Sequence, residues 1–170
     1  MEEFKGQLKA CFSDKNKVSL KRGVYDLLMW IRLNLPLTTL AICTNNSEEN
    51  VRLCLRANGI DDSMFTLILG DSQLEDKKPS PKVYEATAEK ALGVEKLESR
   101  RKVLIVEDWP ECITNAKRAG FTVCAVRDSM TEDPEVWAAT KKAADFSAES
   151  SLDELTFSLY RLNRMDFPVK

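Results

Sequence analysis

An uninterrupted apolar run that ends in two acids, VLIVED at residues 103–108, limits the folds open to this chain. Four consecutive aliphatic residues are typical of a strand covered on both faces in a parallel sheet. Pro110 and Gly120 stand where proline commonly begins a helix and glycine commonly follows one. The pattern therefore predicts a strand over 103–106, a turn that carries Glu107 and Asp108, and a helix over 110–119.

The same alternation of strands and helices runs along most of the chain, with short joints between them. Apolar residues at helical spacing predict a helix over 23–33, and Ser47 is placed to cap another that ends before Gly59. Ser80 and Pro81 open a further helix. The predicted strands lie at 37–43, 65–69, 103–106 and 122–126, with a short final strand before a terminal helix. This order is the signature of an α/β fold with a parallel sheet.

Composition restricts the partners and the chemistry. A chain of 170 residues suits one domain, and its net charge of −2 offers no basic surface for nucleic acid. The apolar runs are too short to cross a membrane. Histidine is absent, which removes Ser/His and Cys/His dyads and imidazole metal sites. Five cysteines in mostly apolar surroundings favour a reducing compartment, so we expect a cytoplasmic protein.

Three groups of polar residues follow predicted strands or open the helices after them. Thr44 and Asn45 follow one strand, Lys78 precedes the helix after the next, and Glu107 with Asp108 follow a third. Taken singly, each has an ordinary structural explanation as a helix cap or a solvated charge. Together, a hydroxyl, helix N–H groups and an ammonium suit an anion, while paired carboxylates suit Mg²⁺. We therefore predict a phosphate and metal site at the carboxyl edge of the sheet.

Three segments, AICTNNS, DKKPSPKVYEATAEKALGV and VLIVEDWPECITNAKRAGF, carry a resemblance to a known family. Over about residues 20–160 the chain resembles the haloacid dehalogenase (HAD) superfamily, and most closely its beta-phosphoglucomutase-like and sugar-phosphate phosphatase branch. The resemblance implies a three-layer Rossmann-like core with a parallel sheet and a mobile helical cap. On this basis we expect residues 1–20 to be a remnant of cap and linker, and residues 21–170 to be an incomplete core.

The resemblance also implies the roles of the candidate residues. Thr44, Asn45 and Lys78 would bind phosphate, with Lys78 also a catalytic residue that contacts the nucleophile. Asp108 would ligate Mg²⁺, and Glu107 would assist, directly or through another ligand. The implied substrate is a small phosphorylated metabolite, with a sugar phosphate favoured, and the implied intermediate is an aspartyl-phosphate.

The chain departs from the family in its nucleophile, which would be the first acid of an Asp-x-Asp pair after the first strand. No Asp-x-Asp occurs in the 170 residues, and neither Asp14 nor Asp166 has an acid two positions later. Trp109 and Cys112 also replace small residues of the family pattern. The missing strand would lie centrally and would leave unpaired edges on two apolar strands.

Three arrangements could satisfy the backbone groups on those unpaired strand edges. The two strands could pair directly, the N-terminal segment or another chain could fill the gap, or the sequence could be a truncated version of a longer enzyme, which we favour. Two functions then remain open. One is an Mg²⁺-dependent phosphatase represented by a chain that lacks its nucleophile. The other is an inactive pseudoenzyme or phosphate-binding module whose exposed edges recruit a partner strand.

Overall fold

The computed structural model describes residues 2–166, with the side chains at 2–5, 8, 130 and 161–166 left out. It has the α/β architecture with parallel strands that the sequence predicts. The helices are α1 (Glu2–Phe12), α2 (Val24–Asn34), α3 (Glu48–Ala57), α4 (Lys82–Leu92), α5 (Pro110–Arg118), α6 (Pro134–Ala143) and α7 (Leu155–Asp166). The strands are β1 (Ala41–Cys43), β2 (Leu67–Leu69), β3 (Leu104–Glu107), β4 (Thr122–Val126) and β5 (Phe146–Ala148). No helix in the described part of the chain is long and apolar enough to cross a membrane.

The first of two compact units consists of Met1–Leu20 and Thr39–Glu98. Its sheet has two parallel strands, with Ala41 of β1 opposite Leu67 of β2 and Cys43 opposite Leu69. Helices α1, α3 and α4 belong to this unit. Its buried apolar side chains are Leu55, Ile60, Ile68, Leu69, Leu74, Val83 and Tyr84.

The second unit consists of Lys21–Thr38 and Ser99–Lys170. Its three parallel strands lie in the order β3-β4-β5, with Glu107 opposite Ala125 and Val126 opposite Ala148. One core cluster of this unit joins strand and helix side chains, and its buried members are Leu27, Cys124, Val126, Ala148, Leu152 and Leu155. In this division 21–38 groups with the C-terminal half and 39–98 with the N-terminal segment. The assignment of 1–20 to a cap remnant and of 21–170 to an incomplete core stays a prediction.

Within the described residues, β1 and β3 each have one edge without a strand partner. Within residues 2–166, β1 pairs only with β2, and β3 pairs only with β4. The N-terminal segment, one source of a further strand considered from the sequence, does not supply one, because its residues 2–12 form α1. The unpaired edges agree with the prediction of a parallel sheet that lacks one strand.

Several helix and strand boundaries in the structure differ from those predicted from the sequence. The strand expected at 37–43 shortens to β1, because 38 belongs to a turn in which the Thr38 N–H donates to Leu35 O at 2.9 Å. Glu107, expected in a turn, is the last residue of β3 because it pairs with Ala125. Helix α6 was not predicted, although Asp133 before Pro134 is a strong start signal and the Asp133 carboxylate does cap the helix.

Candidate functional site

The turn after β1 in the first unit is organised by the Thr44 hydroxyl. The Thr44 N–H donates to Leu69 O at 3.0 Å, and Thr44 Oγ1 accepts the N–H of Asn46 at 3.1 Å. Ser47 Oγ then accepts the N–H of Asn50 at 3.3 Å and caps α3, as the sequence predicts. A hydroxyl that accepts one hydrogen bond can still donate its own proton. The Thr44 hydroxyl therefore keeps a proton to donate in the turn that leads into α3, and its role in binding an anion stays a prediction.

Backbone crowding fixes this turn against the end of β2. Gly70 follows β2, and a Cβ built on it would lie 2.5 Å from Glu48 N and 2.9 Å from Asn46 O. The N–H of Asp71 donates to the same Asn46 oxygen at 2.9 Å. Only glycine allows the two backbones to approach so closely. The position of the Thr44 turn therefore depends on the absence of a side chain at 70.

Asn45 connects the turn to Lys78, which is 33 residues away in the sequence. Asn45 Oδ1 accepts the Lys78 N–H at 3.1 Å, and Asn45 Nδ2 donates to Lys78 O at 3.3 Å. The Lys78–Pro79 peptide bond is cis. Lys78 Nζ lies 5.5 Å from the centre of the buried Tyr84 ring, within the range of a cation–π contact. The structure thus brings Asn45, the neighbour of Thr44 in sequence, into contact with the main chain of Lys78, and the ligand-binding roles of the three residues stay predictions.

Charges at the start of α3 are internally balanced. Arg52 Nε donates to Glu48 Oε1 at 2.8 Å and Gln73 Nε2 donates to Glu48 Oε2 at 2.8 Å. These two hydrogen bonds, that from Arg52 first, hold the pKa of Glu48 below its ordinary value of 4.5. Arg52 also pairs with Asp62 at 2.8 Å. The Glu48 carboxylate at the start of α3 is therefore ionised, and the Arg52 guanidinium balances its charge.

The acid pair lies in the second unit, at the carboxyl end of β3. Glu107 is buried, with 7% of its surface exposed, and its Oε2 accepts the N–H of Asp108 at 3.3 Å. The Asp108 side chain is 45% exposed, and its Oδ2 lies 3.7 Å from Lys21 Nζ. Lys21 also forms an ion pair with Asp128. Two adjacent acids thus have different surroundings, one enclosed and one facing solvent beside a lysine.

These oxygen donors suit Mg²⁺, which is commonly held by one or two carboxylates together with water and phosphate oxygens. The exposed Asp108 is the group best placed to reach such an ion, with Glu107 behind it. Among the described residues, no group of three or more His, Cys, Asp or Glu side chains could hold a metal ion. The residues therefore fit an ion that completes its coordination with water or substrate, and metal binding by Asp108 and Glu107 stays a prediction.

Sequence reasoning missed Lys21 and Asp128. Asp128 follows β4 by two residues, so the rule that directed attention to Glu107 and Asp108 would have found it too. Lys21 carries no signal of its own, because it precedes α2 in a polar segment and reaches the acids only through tertiary packing.

Comparison with known proteins identifies the family. The fold is an α/β arrangement of parallel strands, with polar groups after successive strands. The haloacid dehalogenase-like hydrolase family matches residues 1–126. The chain belongs to this family, in agreement with the prediction from the three sequence segments.

Two curated relatives match part of the chain. Phosphoglycolate phosphatase of Rhodospirillum rubrum is 32% identical over 95 residues, which are 56% of this chain and 37% of that protein. A haloacid dehalogenase-like hydrolase domain-containing protein of Arabidopsis thaliana is 35% identical over 97 residues, 55% of this chain and 29% of that protein. The chain thus spans about a third of the length of these relatives.

Solved structures extend the likeness in fold. Beta-phosphoglucomutase of Clostridium difficile superposes with a TM-score of 0.64 at 18% identity, covering 92% of this chain and 60% of that chain. CbbY of Rhodobacter sphaeroides, in complex with xylulose-1,5-bisphosphate, gives 0.61 at 25% identity, covering 77% of this chain and 54% of that chain. These neighbours show that the chain shares the fold of both proteins.

Proposed function

We propose that this chain supplies the phosphate-holding and metal-holding residues of an HAD-like phosphatase that acts on a small phosphorylated metabolite, with a sugar phosphate as the first candidate. The observation that carries the proposal is the pair of hydrogen bonds between the Asn45 amide and the Lys78 main chain. They hold the main chain of Lys78 against Asn45, the residue that follows Thr44. The relatives that act on or bind phosphorylated metabolites, phosphoglycolate phosphatase and CbbY, support the substrate class.

Each residue of the first unit has a distinct role in this proposal. Thr44 donates its hydroxyl proton to a phosphate oxygen, and Lys78 binds a second oxygen through its ammonium. Asn45 orients Lys78 through two hydrogen bonds to the lysine main chain. In this proposal the contribution of Asn45 to phosphate binding is therefore mainly indirect, through Lys78. In this proposal a compact anion is attracted by the charge of the ammonium and is oriented by hydrogen bonds from N–H groups at the start of the helix.

Asp108, with Glu107 behind it, would hold Mg²⁺ in the second unit. The ion supplies positive charge that offsets the charge on a transferring phosphoryl group. Glu107 accepts the main-chain N–H of Asp108 and so fixes the backbone that carries the exposed carboxylate. Neither acid is a nucleophile in this proposal.

In this proposal the nucleophile does not come from the 170 residues of the chain, which contain no Asp-x-Asp. We therefore expect the chain alone to bind phosphate without hydrolysing p-nitrophenyl phosphate or small sugar phosphates. A strand that adds to the unpaired edge of β1 or β3 is the natural source of the missing carboxylate. Cytoplasmic location and the absence of nucleic-acid partners also stay predictions.

Titration of the chain with inorganic phosphate tests the anion site directly. We expect saturable binding that is lost in Lys78→Met and weakened in Thr44→Val. Lys82→Met is the matched control, because Lys82 is an exposed lysine of the same segment whose ion pair with Asp76, at 3.9 Å, is weak. Equal phosphate affinity in Lys78→Met and Lys82→Met would contradict the proposed role of Lys78.

The absence of Asp-x-Asp also favours a second function for the chain alone, that of a phosphate-binding or interaction module without catalysis. A steady-state assay with Mg²⁺ tests the inactivity that both functions predict for the chain alone. Phosphate binding without turnover agrees with both of them. Turnover that is abolished by Asp14→Asn or Asp166→Asn would show that the chain contains its own nucleophile and would overturn both the expectation of inactivity and the module.

A further inference from the structure

Lys21 in the second unit places its ammonium between two carboxylates. Its Nζ lies 3.7 Å from Asp108 Oδ2 and makes a closer ion pair with Asp128 Oδ2. The Asp128 side chain is the less exposed of the two acids, at 25% against 45% for Asp108. One cation therefore serves two acids, and it lies nearer to Asp128.

The two acids are neighbours because of the strand order. β3 and β4 are adjacent and parallel, with Glu107 opposite Ala125, so the residues just beyond these strands leave the sheet at the same edge. Asp108 is the first residue after β3. Asp128 is the second residue after β4, and its Oδ1 is already engaged by the Ser129 hydroxyl at 2.6 Å. The remaining oxygen, Oδ2, is the one that pairs with Lys21.

The main chain that carries Lys21 is held in place on its C-terminal side. The oxygen of Arg22 accepts the Leu152 N–H at 2.9 Å. Gly23 has φ of 78°, and a Cβ on it would lie 2.7 Å from Asp153 N. A left-handed backbone in a space without room for a side chain fixes the path of the segment. Lys21 therefore reaches the acids from an anchored position.

We propose that Lys21 is a built-in counter-ion that competes with a divalent cation for Asp108, and that Asp128 is the positioning residue that holds the ammonium back from Asp108. The inference deepens the proposed function and rests on Asp108 as its metal ligand. Two cations do not share one exposed carboxylate without repulsion, so a metal at Asp108 is favoured only while Lys21 pairs with Asp128. Removing Lys21 and removing Asp128 should then act in opposite directions on metal affinity.

Mn²⁺ is a spectroscopically visible substitute for Mg²⁺. Titration with Mn²⁺ measures this competition, because the electron paramagnetic resonance signal reports the concentration of the free ion. Ion pairs at exposed positions are modest, so we expect Lys21→Met to bind Mn²⁺ about threefold more tightly than the unmodified chain. Asp128→Asn should bind it about threefold more weakly, because the freed ammonium turns to Asp108. The Mn²⁺-induced rise in melting temperature should follow the same order.

Lys117→Met is the matched control, since Lys117 is an exposed lysine of the same unit that pairs with Asp145 instead. It removes one positive charge without freeing Asp108, so it should bind Mn²⁺ with nearly unchanged affinity. In an Asp108→Asn background, Lys21→Met should no longer raise the affinity. A positioning role for Asp128 further requires that Asp128→Asn weaken binding much less in the Lys21→Met background than in the unmodified chain.

The outcomes separate this inference from the function on which it rests. Saturable Mn²⁺ binding that depends on Asp108 but is equal in the unmodified chain, Lys21→Met and Lys117→Met overturns the inference and leaves Asp108 as a ligand. An equal loss from Asp128→Asn in both backgrounds makes Asp128 a direct ligand and overturns its positioning role. Absence of saturable binding in every variant, including Lys21→Met, overturns the ligand role of Asp108 and the competition together.

Discussion

The side-chain amide of Asn45 bonds both main-chain groups of Lys78, accepting its N–H and donating to its C=O. The link joins the loop after β1 to the segment before α4. A side-chain amide offers a donor and an acceptor at fixed separation, so a single asparagine can satisfy both groups of one residue. The position of the lysine thus depends on a residue 33 places earlier.

Replacing Asn45 with alanine should remove this link. We expect a loss of about 1 kcal/mol in the free energy of unfolding, because two exposed hydrogen bonds are exchanged for bonds to water. Phosphate affinity should fall as Lys78 loses its orientation. Urea unfolding and phosphate titration measure the two effects.

Asn34→Ala is the control for that change. Asn34 makes one local hydrogen bond, from Nδ2 to Trp30 O at 2.9 Å, at the end of α2 in the other unit. Its loss should leave phosphate affinity unchanged. If both variants bind phosphate equally well, Asn45 does not orient Lys78 in solution.

Gly70→Ala should be strongly destabilising. A methyl group there would overlap Glu48 N and Asn46 O, both of which are backbone atoms that cannot swing aside. Forced overlap of this kind costs about 1–3 kcal/mol, measurable as a lower urea midpoint. Gly6→Ala provides the contrast, because Gly6 lies in α1 with nothing within 4 Å of a built Cβ, and alanine there should stabilise by about 0.5–1 kcal/mol. A Gly70→Ala protein as stable as the unmodified chain would mean that the turn adjusts.

Glu154 should make stability depend on pH in the acid range. Its carboxylate accepts the N–H groups of Glu149, Ser150 and Ser151, each at 3.0 Å. These bonds, that from Glu149 first, lower the pKa of Glu154 below its ordinary value of 4.5. A carboxyl whose pKa is lower in the folded state stabilises the fold above its unfolded pKa, and this contribution is lost as the pH falls.

Glu154→Gln should therefore lower stability by about 1 kcal/mol at neutral pH, and the difference should shrink as the pH drops below 4.5. Melting temperatures of both proteins across pH 3 to about 7 follow this difference. Glu95→Gln, a change at an exposed glutamate in the loop after α4, should leave the curve unaltered. A difference that grows as the pH falls would have the wrong sign for this explanation.

Cys124 should resist thiol reagents while the protein is folded. It is fully buried in β4, and burial raises the pKa of its thiol to about 12. Only the thiolate is reactive, and at pH 8 almost none of it forms. Iodoacetamide labelling followed by mass spectrometry of the peptides should show Cys11, which is only partly buried, modified before Cys124. In urea the two cysteines should react at similar rates, and early labelling of Cys124 without denaturant would contradict its burial.

Local chemistry allowed much of this fold to be predicted. The bounds of β4 agree with the predicted strand at 122–126, and the starts of α3 and α5 agree with Ser47 as a cap and Pro110 as the first helical residue. Caps and buried strands depend on neighbours in the sequence, so a single chain reveals them. The contact between Asn45 and Lys78 agrees with the rule that residues after parallel strands lie at one edge, while the ligand roles of Thr44, Asn45 and Lys78 stay predictions.

The rest depended on packing between distant segments. The start of β1 is set by its pairing with β2, where Ala41 lies opposite Leu67. The ion pairs of Lys21 require β3 and β4 to be adjacent and the segment before α2 to be anchored at Leu152. No periodicity or cap signals such a contact, because its partners are a lysine in a polar segment and acids about 90 and 110 residues further along the chain.

The unpaired side of β3 also governs how the protein should be handled in the laboratory. Its backbone groups have no strand partner within the described residues, and Val106 is 44% exposed on this strand. Such an edge can pair with the same edge of a second molecule, so a high protein concentration favours self-association and lowers solubility. Dilute samples and a charged substitution at 106 should therefore keep the preparation monodisperse, whereas concentrated stocks should lose material to precipitate.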